Sequence, residues 1–180
     1  MSNIVPLTLR PHLVSFLMKE MKGETSSYAG TRITVCEISR KSFIGKYLLE
    51  HLEKIKYPVK NISRFNFFAE IKAGSRSHRE VRASGAFYKR EKLGDTFVYL
   101  PERYVDEVNQ LFEEQFRSAF YNYVEARAED DLWVTQAILL FIDKYNLFEC
   151  DMNQDQLRQL YNRIKKNGQF AGLQGKLYRG

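Results

Sequence analysis

The chain of 180 residues has few of the side chains that build metal centres and disulfide frameworks, namely two cysteines and three histidines. Cys36 and Cys150 show no metal-ligand spacing, and His12, His51 and His78 lie too far apart in sequence to form a ligand pair. Two cysteines without a framework fit a reducing compartment. The sequence therefore predicts no metal site and a cytoplasmic location.

Long apolar runs and nucleotide-binding motifs are also missing. No stretch approaches the roughly 20 apolar residues of a membrane span, and the N-terminus lacks a signal-peptide pattern. Neither a glycine-rich phosphate loop, nor a nucleophile elbow, nor a dinucleotide fingerprint occurs. We therefore expect a protein without a membrane segment, without a cofactor and without enzymatic activity.

One enzymatic pattern is present in a superficial form. Glu70-Ile71-Lys72 looks like the Glu-x-Lys pair of restriction-type nucleases, in which the carboxylate binds Mg²⁺ and the lysine lies near the scissile phosphate. Such a site needs a second carboxylate, and the nearest upstream acids, Glu50 and Glu53, fall on a predicted helix. A three-residue match arises readily by chance, so a metal-dependent nuclease is kept only as a minor alternative.

What the sequence does have is an uneven distribution of its charge, which is +6 in total. Residues 54–92 carry eleven bases and three acids, residues 101–157 carry four bases and thirteen acids, and residues 158–180 carry six bases and no acid. Cations spaced along strands and a loop, with aromatic residues between them, are typical of a surface that contacts a phosphate backbone. The two basic segments therefore favour nucleic acid as the partner.

The first hundred residues read as a mixed α+β half. Alternating or β-branched patterns predict strands at 4–9, 31–38, 64–72, 81–90 and 96–100. Helical spacing predicts two helices, one from Pro11 to Gly23 and one that begins after residues 39–42 and stops at Tyr57-Pro58, with a polar loop over 23–30. A strand, a helix and a further strand across 31–72 predict a βαβ unit with parallel pairing.

From Pro101 onwards the pattern becomes helical, with helices expected over 101–127, 132–145 and 153–167. Trp133 is interpreted as a core residue between these helices. The predicted fold class is α+β, with an N-terminal mixed sheet of four to five strands and two helices, followed by a C-terminal three-helix bundle. The corresponding lobes are 1–100 and 101–167, and a basic glycine-containing tail, 168–180, is interpreted as a frayed terminus or as an arm that orders on nucleic acid.

The last predicted helix carries the clearest residue-level signal for a DNA contact. Arginine and asparagine read guanine and adenine edges in the major groove, and lysine neutralises phosphate. With the preceding helix and the connection 147–152, this helix would form a helix-turn-helix-like pair, although the turn lacks the usual glycine. The alternative is a terminal helix with a polar solvent side and cations where its dipole favours them. The predicted contacts on this helix are Arg158, Asn162, Arg163, Lys165 and Lys166.

A second set of predicted phosphate contacts lies on the basic strands and the loop 74–79, which could equally be a hairpin tip that is basic for solubility. These residues are Arg76, Arg79, Arg82, Lys89 and Arg90. Phe65 and Phe67 share a strand face that looks like core, and Phe68 lies on the other, polar face, where it could offer only a thin base-stacking platform. Burial in the core is the favoured interpretation.

Together these patterns predict a non-enzymatic nucleic-acid-binding protein, with double-stranded DNA favoured over RNA. A regulator, or an accessory factor of replication or of a mobile element, would fit. The alternative is a protein-interaction or assembly module, a homo-oligomer whose basic and acidic segments pair across subunits. The two differ in their response to salt, which weakens DNA binding steeply and an apolar subunit contact little.

Overall fold

The computed structural model describes residues 2–72, 97–129 and 132–167. The chain divides into two compact units, one formed by residues 1–8 and 23–106 and the other by residues 9–22 and 107–180. The described strands all belong to the first unit, and most of the helical residues belong to the second. The predicted α+β fold class is confirmed.

In chain order the described elements are β1 (Ser2–Leu7), α1 (Pro11–Met21), β2 (Glu24–Tyr28), β3 (Thr31–Glu37), α2 (Phe43–His51), β4 (Glu53–Ile55), β5 (Phe67–Lys72), β6 (Phe97–Tyr99), α3 (Val105–Glu129), α4 (Val134–Tyr145) and α5 (Gln154–Asn167). Helix α1, which the sequence assigned to the sheet half, belongs to the second unit together with α4, α5 and all but the first two residues of α3. The predicted strand at 81–90 and its hairpin lie outside the described residues.

The larger sheet of the described strands is mixed, in the order β1-β5-β3-β2. Strand β5 pairs antiparallel with β1 and parallel with β3, which in turn pairs antiparallel with β2. The parallel pairing of β3 and β5 on either side of α2 confirms the predicted βαβ unit. Strand β1 lies at the edge of this sheet, where Pro6 is tolerated, and β4 pairs with β6 in a separate two-stranded sheet.

The connection between β2 and β3 corrects the prediction of a polar loop over residues 23–30. Ala29 and Gly30 both have positive φ, 50° and 81°, as the two central residues of a type I′ turn do. This turn matches the twist of the flanking strands and therefore joins them as a hairpin. The usual sequence signal for a type I′ turn is Asn-Gly or Asp-Gly. Because alanine occupies the first position here, the sequence does not show this signal.

Helix α2 begins as predicted and ends early. The hydroxyl oxygen of Ser42 accepts a hydrogen bond from the backbone N–H of Gly45 at 3.0 Å, as an N-cap does. The helix then stops at His51, before the predicted end at Tyr57-Pro58, because residues 53–55 extend and pair with β6 as β4. Similarly, α1 ends in a left-handed Lys22 (φ 50°), one residue before the predicted Gly23.

Strand β5 is buried on both faces, so its aromatic residues lie in the core. Phe67 is fully buried, and Phe68 on the opposite face is only 8% exposed. Phe68 packs in a cluster with Tyr28, Ile33 and Val35. The interpretation of these rings as core is confirmed, and they form no platform for nucleic-acid bases.

The second unit has a core of aromatic rings. Phe116 of α3 makes T-shaped contacts with His12 and Phe16 of α1, with ring centroids 5.1 and 5.4 Å apart. Phe141 of α4 packs against the same row of α3, 5.8 Å from Phe116 and 5.1 Å from Phe120. These contacts explain why α1 belongs with the helices, since Phe16 of its buried apolar stripe packs against their rings.

Candidate nucleic-acid interface

Helix α5 begins with a reciprocal pair of hydrogen bonds. The side-chain oxygen of Asn153 accepts from the backbone N–H of Gln156 at 3.0 Å, and the side-chain oxygen of Gln156 accepts from the backbone N–H of Asn153 at 2.9 Å. This arrangement follows the logic of a capping box and satisfies two N–H groups that the helix leaves unpaired. The predicted cap at Asn153 is confirmed, and the start of the helix is well defined.

The connection between α4 and α5 is tight although it contains no glycine. Asn146 and Asp151 adopt left-handed backbone conformations, with φ of 53° and 57°, at either end of a 3-10 turn over Leu147–Cys150. Asparagine and aspartate tolerate this region better than other residues with a Cβ atom. The connection therefore makes its two left-handed turns without a glycine.

One side of α5 is anchored to the helices of its own unit. Leu157, Tyr161 and Ile164 are buried, as predicted. The hydroxyl of Tyr161 donates a short hydrogen bond to the carboxylate of Glu125 on α3, and the Tyr161 ring stacks on Tyr121 with centroids 5.8 Å apart. Burial, followed by this hydrogen bond, raises the pKa of Tyr161. These contacts fix which side of α5 faces solvent.

The opposite side of α5 presents the predicted contact residues, and all five are exposed. Arg158, Asn162 and Lys166 recur at every fourth position and therefore line one ridge of the helix, about 12 Å long. Arg163 projects from the same solvent side. Within the part of the chain that the structure describes, no hydrogen bond or ion pair engages these four side chains. We call them the α5 ridge residues.

Lys165 is exposed as well, but its ammonium group already interacts with side chains of the protein itself. Its ammonium lies 3.1 Å from the hydroxyl of Tyr161 and 3.6 Å from the carboxylate of Glu125. The hydrogen bond to Tyr161, followed by the attraction of Tyr161 and Glu125, raises the pKa of Lys165. The structure thus separates Lys165, which helps to hold α5 against α3, from the ridge residues, a distinction that residue type alone does not reveal.

The second predicted set, Arg76, Arg79, Arg82, Lys89 and Arg90, lies outside the described residues. The predicted site residues that the structure describes therefore all lie on α5.

Sequence reasoning missed one neighbour of Glu70. Glu37 on β3 is paired in register with Glu70 on the parallel strand β5, whereas Glu50 and Glu53 lie on α2 and β4. The pairing of β3 with β5 brings the backbones of Glu37 and Glu70 side by side. In the sequence, only the predicted βαβ unit could have indicated this pairing. Among residues 2–72, 97–129 and 132–167, however, no group of three or more acidic, histidine or cysteine side chains is arranged to hold a metal ion.

Trp133 is 79% exposed, so its interpretation as a core residue between helices is wrong. It occupies the position before the first turn of α4 with an extended backbone, φ −62° and ψ 134°. The buried stripe of α4 begins only at Ala137. Because Trp133 precedes the helix, helical periodicity does not determine the direction of its side chain.

In the described part of the chain, no helix has both the length and the apolar character needed to cross a bilayer. The chain was also compared with known protein families, curated proteins and solved structures, and none of them matches it.

Proposed function

We propose that this protein binds nucleic acid through the α5 ridge residues, with double-stranded DNA as the preferred ligand. The observation that carries this function is the row of Arg158, Asn162 and Lys166 along one exposed ridge, unpaired among the described residues. In this arrangement α5 enters the major groove, whose width of about 12 Å accepts an α-helix.

The electrostatics of the second unit support this function. Three other bases of the unit are neutralised locally: Arg10 and Arg117 by Glu113 at 3.1 and 3.2 Å, and Lys144 by Glu20 at 3.3 Å. The cations of the α5 ridge have no such carboxylate among the described residues. Their charge is therefore available to a ligand, and counterion release on binding phosphates would supply most of the affinity.

The residue types on the ridge suit a duplex. Arginine can donate two parallel hydrogen bonds to guanine, and asparagine can exchange two with adenine, so the exposed Arg158 and Asn162 have side chains suited to base edges. Lys166, at the far end of the ridge, is suited to a phosphate. The capping box and the anchor at Tyr161 hold the helix in one orientation, which limits the entropy lost on binding.

The biological role that fits such a binding mode is that of a regulator, or of an accessory factor of replication or of a mobile element. Its proposed location is the cytoplasm, in keeping with the absence of a disulfide at Cys36 and Cys150.

Fluorescence anisotropy with a labelled 25-mer, single- and double-stranded, at two salt concentrations tests this function. The variant Arg158→Gln/Arg163→Gln/Lys166→Gln should lose at least tenfold in duplex affinity. The matched control Lys19→Gln/Lys41→Gln/Lys46→Gln removes the same charge from exposed positions outside both basic segments and should lose far less. No duplex binding by the wild-type chain at low salt, or equal losses in both variants, would refute a site on α5.

The basic segment that includes Arg76 and Arg79 provides the second arm of the same experiment. If Arg76→Gln/Arg79→Gln abolishes binding while the α5 variant keeps it, the contact belongs to that segment and not to α5. If neither variant changes binding, nucleic-acid recognition through the predicted residues is wrong.

The same two salt concentrations also distinguish nucleic-acid binding from the alternative function, an oligomeric assembly module. Sedimentation velocity at low and high salt should show one unchanged species if the protein acts only on nucleic acid. A large assembly that dissociates as salt rises, without nucleic acid present, would favour pairing of acidic and basic segments across subunits.

A further inference from the structure

Residues 54–64, which begin in β4 and continue as the loop towards β5, form a strongly basic segment of the first unit. The segment contains no acid, and its four bases, all exposed, are Lys54, Lys56, Lys60 and Arg64. In the described part of the chain, no carboxylate forms an ion pair with the last three of these bases. The preceding acid, Glu53, is engaged by Tyr99 at 2.9 Å and by Arg103 at 3.6 Å. We call residues 54–64 the basic loop.

Contacts with the core of the first unit anchor the basic loop. The backbone N–H of Val59 donates a hydrogen bond to the hydroxyl of Tyr28 at 3.3 Å. Ile62, and Phe65 just beyond the end of the loop, pack against the buried cluster that contains Tyr28. The apolar residues of the loop therefore meet at one place in the core, and the charged residues between them are left on the solvent side.

The second half of the basic loop holds two of its cations close together. Lys60 precedes the 3-10 turn Ile62–Arg64, which Arg64 ends. The backbone N–H of Arg64 donates to the carbonyl of Asn61 at 3.2 Å, so the backbones of Lys60 and Arg64 lie within about 10 Å of each other. Two bases held at this spacing repel each other, and a bound anion relieves the repulsion.

An exposed aromatic ring lies in the first half of the same loop. Tyr57 is 68% exposed, and the ammonium of Lys56 lies over its ring, 5.6 Å from the centroid. Pro58 follows and restricts the backbone of both residues, so the ring has few positions to choose from. An exposed ring next to lysines can stack on a nucleobase while the cations neutralise the neighbouring phosphates.

We infer that the basic loop is a binding site for single-stranded nucleic acid, in which Tyr57 stacks on a base and Lys56, Lys60 and Arg64 contact phosphates. A single strand suits this loop because its unpaired bases expose their faces to an aromatic side chain, whereas stacked neighbours cover those faces in a duplex. The site lies in the first unit and uses no residue of α5, so it is independent of the duplex function proposed for that helix.

Fluorescence anisotropy of the full-length chain with labelled oligo(dT) and with the labelled duplex tests this site. Tyr57→Ala should lose about fivefold or more in affinity for oligo(dT), the effect of one stacking contact, and less than twofold for the duplex. Tyr57→Phe keeps the ring and should bind oligo(dT) like the wild type. Phe43→Ala is the matched control, because it removes a ring that is 70% exposed in the same unit, and it should change neither affinity by more than twofold.

Two further measurements address the cations and the position of the strand. Lys56→Gln/Lys60→Gln/Arg64→Gln should lower the slope of log K against log salt for oligo(dT) by about 2, since each phosphate contact on a single strand contributes about 0.7. Photochemical cross-linking of an oligonucleotide that contains 5-iodouracil, followed by peptide mass spectrometry, should place the adduct on Tyr57.

Several outcomes would overturn the inference. Tyr57→Ala with wild-type affinity for oligo(dT), or with the same loss as Phe43→Ala, would remove the stacking contact. If Tyr57→Ala binds normally and the charge variant loses polyglutamate as well as oligo(dT), the loop is a general anion site. Loss of oligo(dT) binding in the α5 variant would place the single strand on α5, whereas oligo(dT) binding that survives in that variant supports a separate site.

Discussion

The imidazole Nε2 of His12 lies 2.9 Å from a carboxylate oxygen of Glu113, a residue 101 positions further along the chain. The same oxygen accepts a hydrogen bond from Arg10 at 3.1 Å, and the second carboxylate oxygen accepts one from Arg117 at 3.2 Å. Glu113 has only 10% of its side chain exposed. One buried carboxylate therefore joins the start of α1 to the middle of α3.

Replacing Glu113 by glutamine should destabilise the protein by about 2–3 kcal/mol at pH 7, since it leaves the surrounding cations without their counter-charge. Burial opposes ionisation of Glu113, but His12 and the two arginines lower its pKa from 4.5 to about 2. The folded state thus favours the charged form. Its stabilising effect is complete above the unfolded pKa and is lost as the pH falls towards 2.

Urea unfolding of the wild type and of Glu113→Gln at pH 7 and at pH 3 measures this effect. The difference in the free energy of unfolding should shrink by more than half at pH 3. Glu114→Gln is the control, because Glu114 is exposed and pairs only with Arg117 among the described residues, at 3.3 Å; it should cost less than about 0.5 kcal/mol. A pH-independent difference would show that Glu113 acts through packing alone.

Tyr161→Phe should lower the free energy of unfolding by about 1–2 kcal/mol, because it removes the hydroxyl that donates to Glu125 and accepts from Lys165. Tyr57→Phe is the control, since the Tyr57 hydroxyl makes no hydrogen bond with any described residue. Thermal unfolding followed by circular dichroism compares the two. Equal melting temperatures for both variants would mean that the Tyr161 hydroxyl does not anchor α5.

The β2–β3 hairpin should respond in opposite directions to changes at its two turn residues. Ala29→Asn should stabilise the protein by about 0.5–1 kcal/mol, because asparagine adopts positive φ more readily than alanine does. Gly30→Ala should destabilise it by about 1 kcal/mol, since φ is 81° at that position although space is available for a Cβ atom. Chemical denaturation of both variants provides the measurement, and a loss of stability in Ala29→Asn would contradict the turn geometry.

Lys166 and Lys165 are neighbours of the same type for which we predict different behaviour towards DNA. Lys166→Gln should reduce the slope of log K against log salt by about 0.9, the effect of one phosphate contact. Lys165→Gln should change this slope less, because the ammonium of Lys165 is engaged by Tyr161 and Glu125. Anisotropy titrations over a salt series, with duplex DNA, measure both slopes, and equal reductions would remove the distinction between the two lysines.

A companion substitution on the same ridge separates base reading from phosphate binding. Asn162→Ala should leave the salt slope unchanged, because it removes no charge. If Asn162 contacts adenine, this variant should reduce discrimination between duplexes by about 1–3 kcal/mol. Competition between duplexes that differ at single base pairs is the measurement, and an equal loss of affinity for all duplexes would indicate that Asn162 contacts the backbone instead of a base.

The features that could be predicted from the sequence are those with strong local signals. Helix α5 carries an asparagine cap, an apolar stripe and a polar opposite side, and its buried and exposed residues lie where that pattern indicates. The strand–helix–strand order around α2 likewise indicated the parallel pairing of β3 with β5. In both places, propensity, patterning and capping agree with one another.

The features that could not be predicted depend on partners distant in sequence. Strand β4 continues a helical pattern and becomes extended only because β6 pairs with it. Lys165 resembles Lys166 in sequence, and its engagement depends on Glu125, which lies on another helix. Trp133 precedes α4, so the helical period that orders its neighbours does not apply to it.

Each of the two units is assembled from two separate stretches of the chain, since residues 9–22 leave the sheet unit and residues 23–106 return to it. Leu13, Phe16 and Leu17 form the buried apolar stripe of α1. During synthesis α1 therefore emerges from the ribosome long before α3 and α4, whose Phe116 and Tyr145 rings pack against Phe16. The nascent chain carries this apolar stripe uncovered while most of the sheet unit is translated, an interval in which chaperones can bind it. A circular permutant that begins at residue 23 would place α1 after α5 and remove this delay.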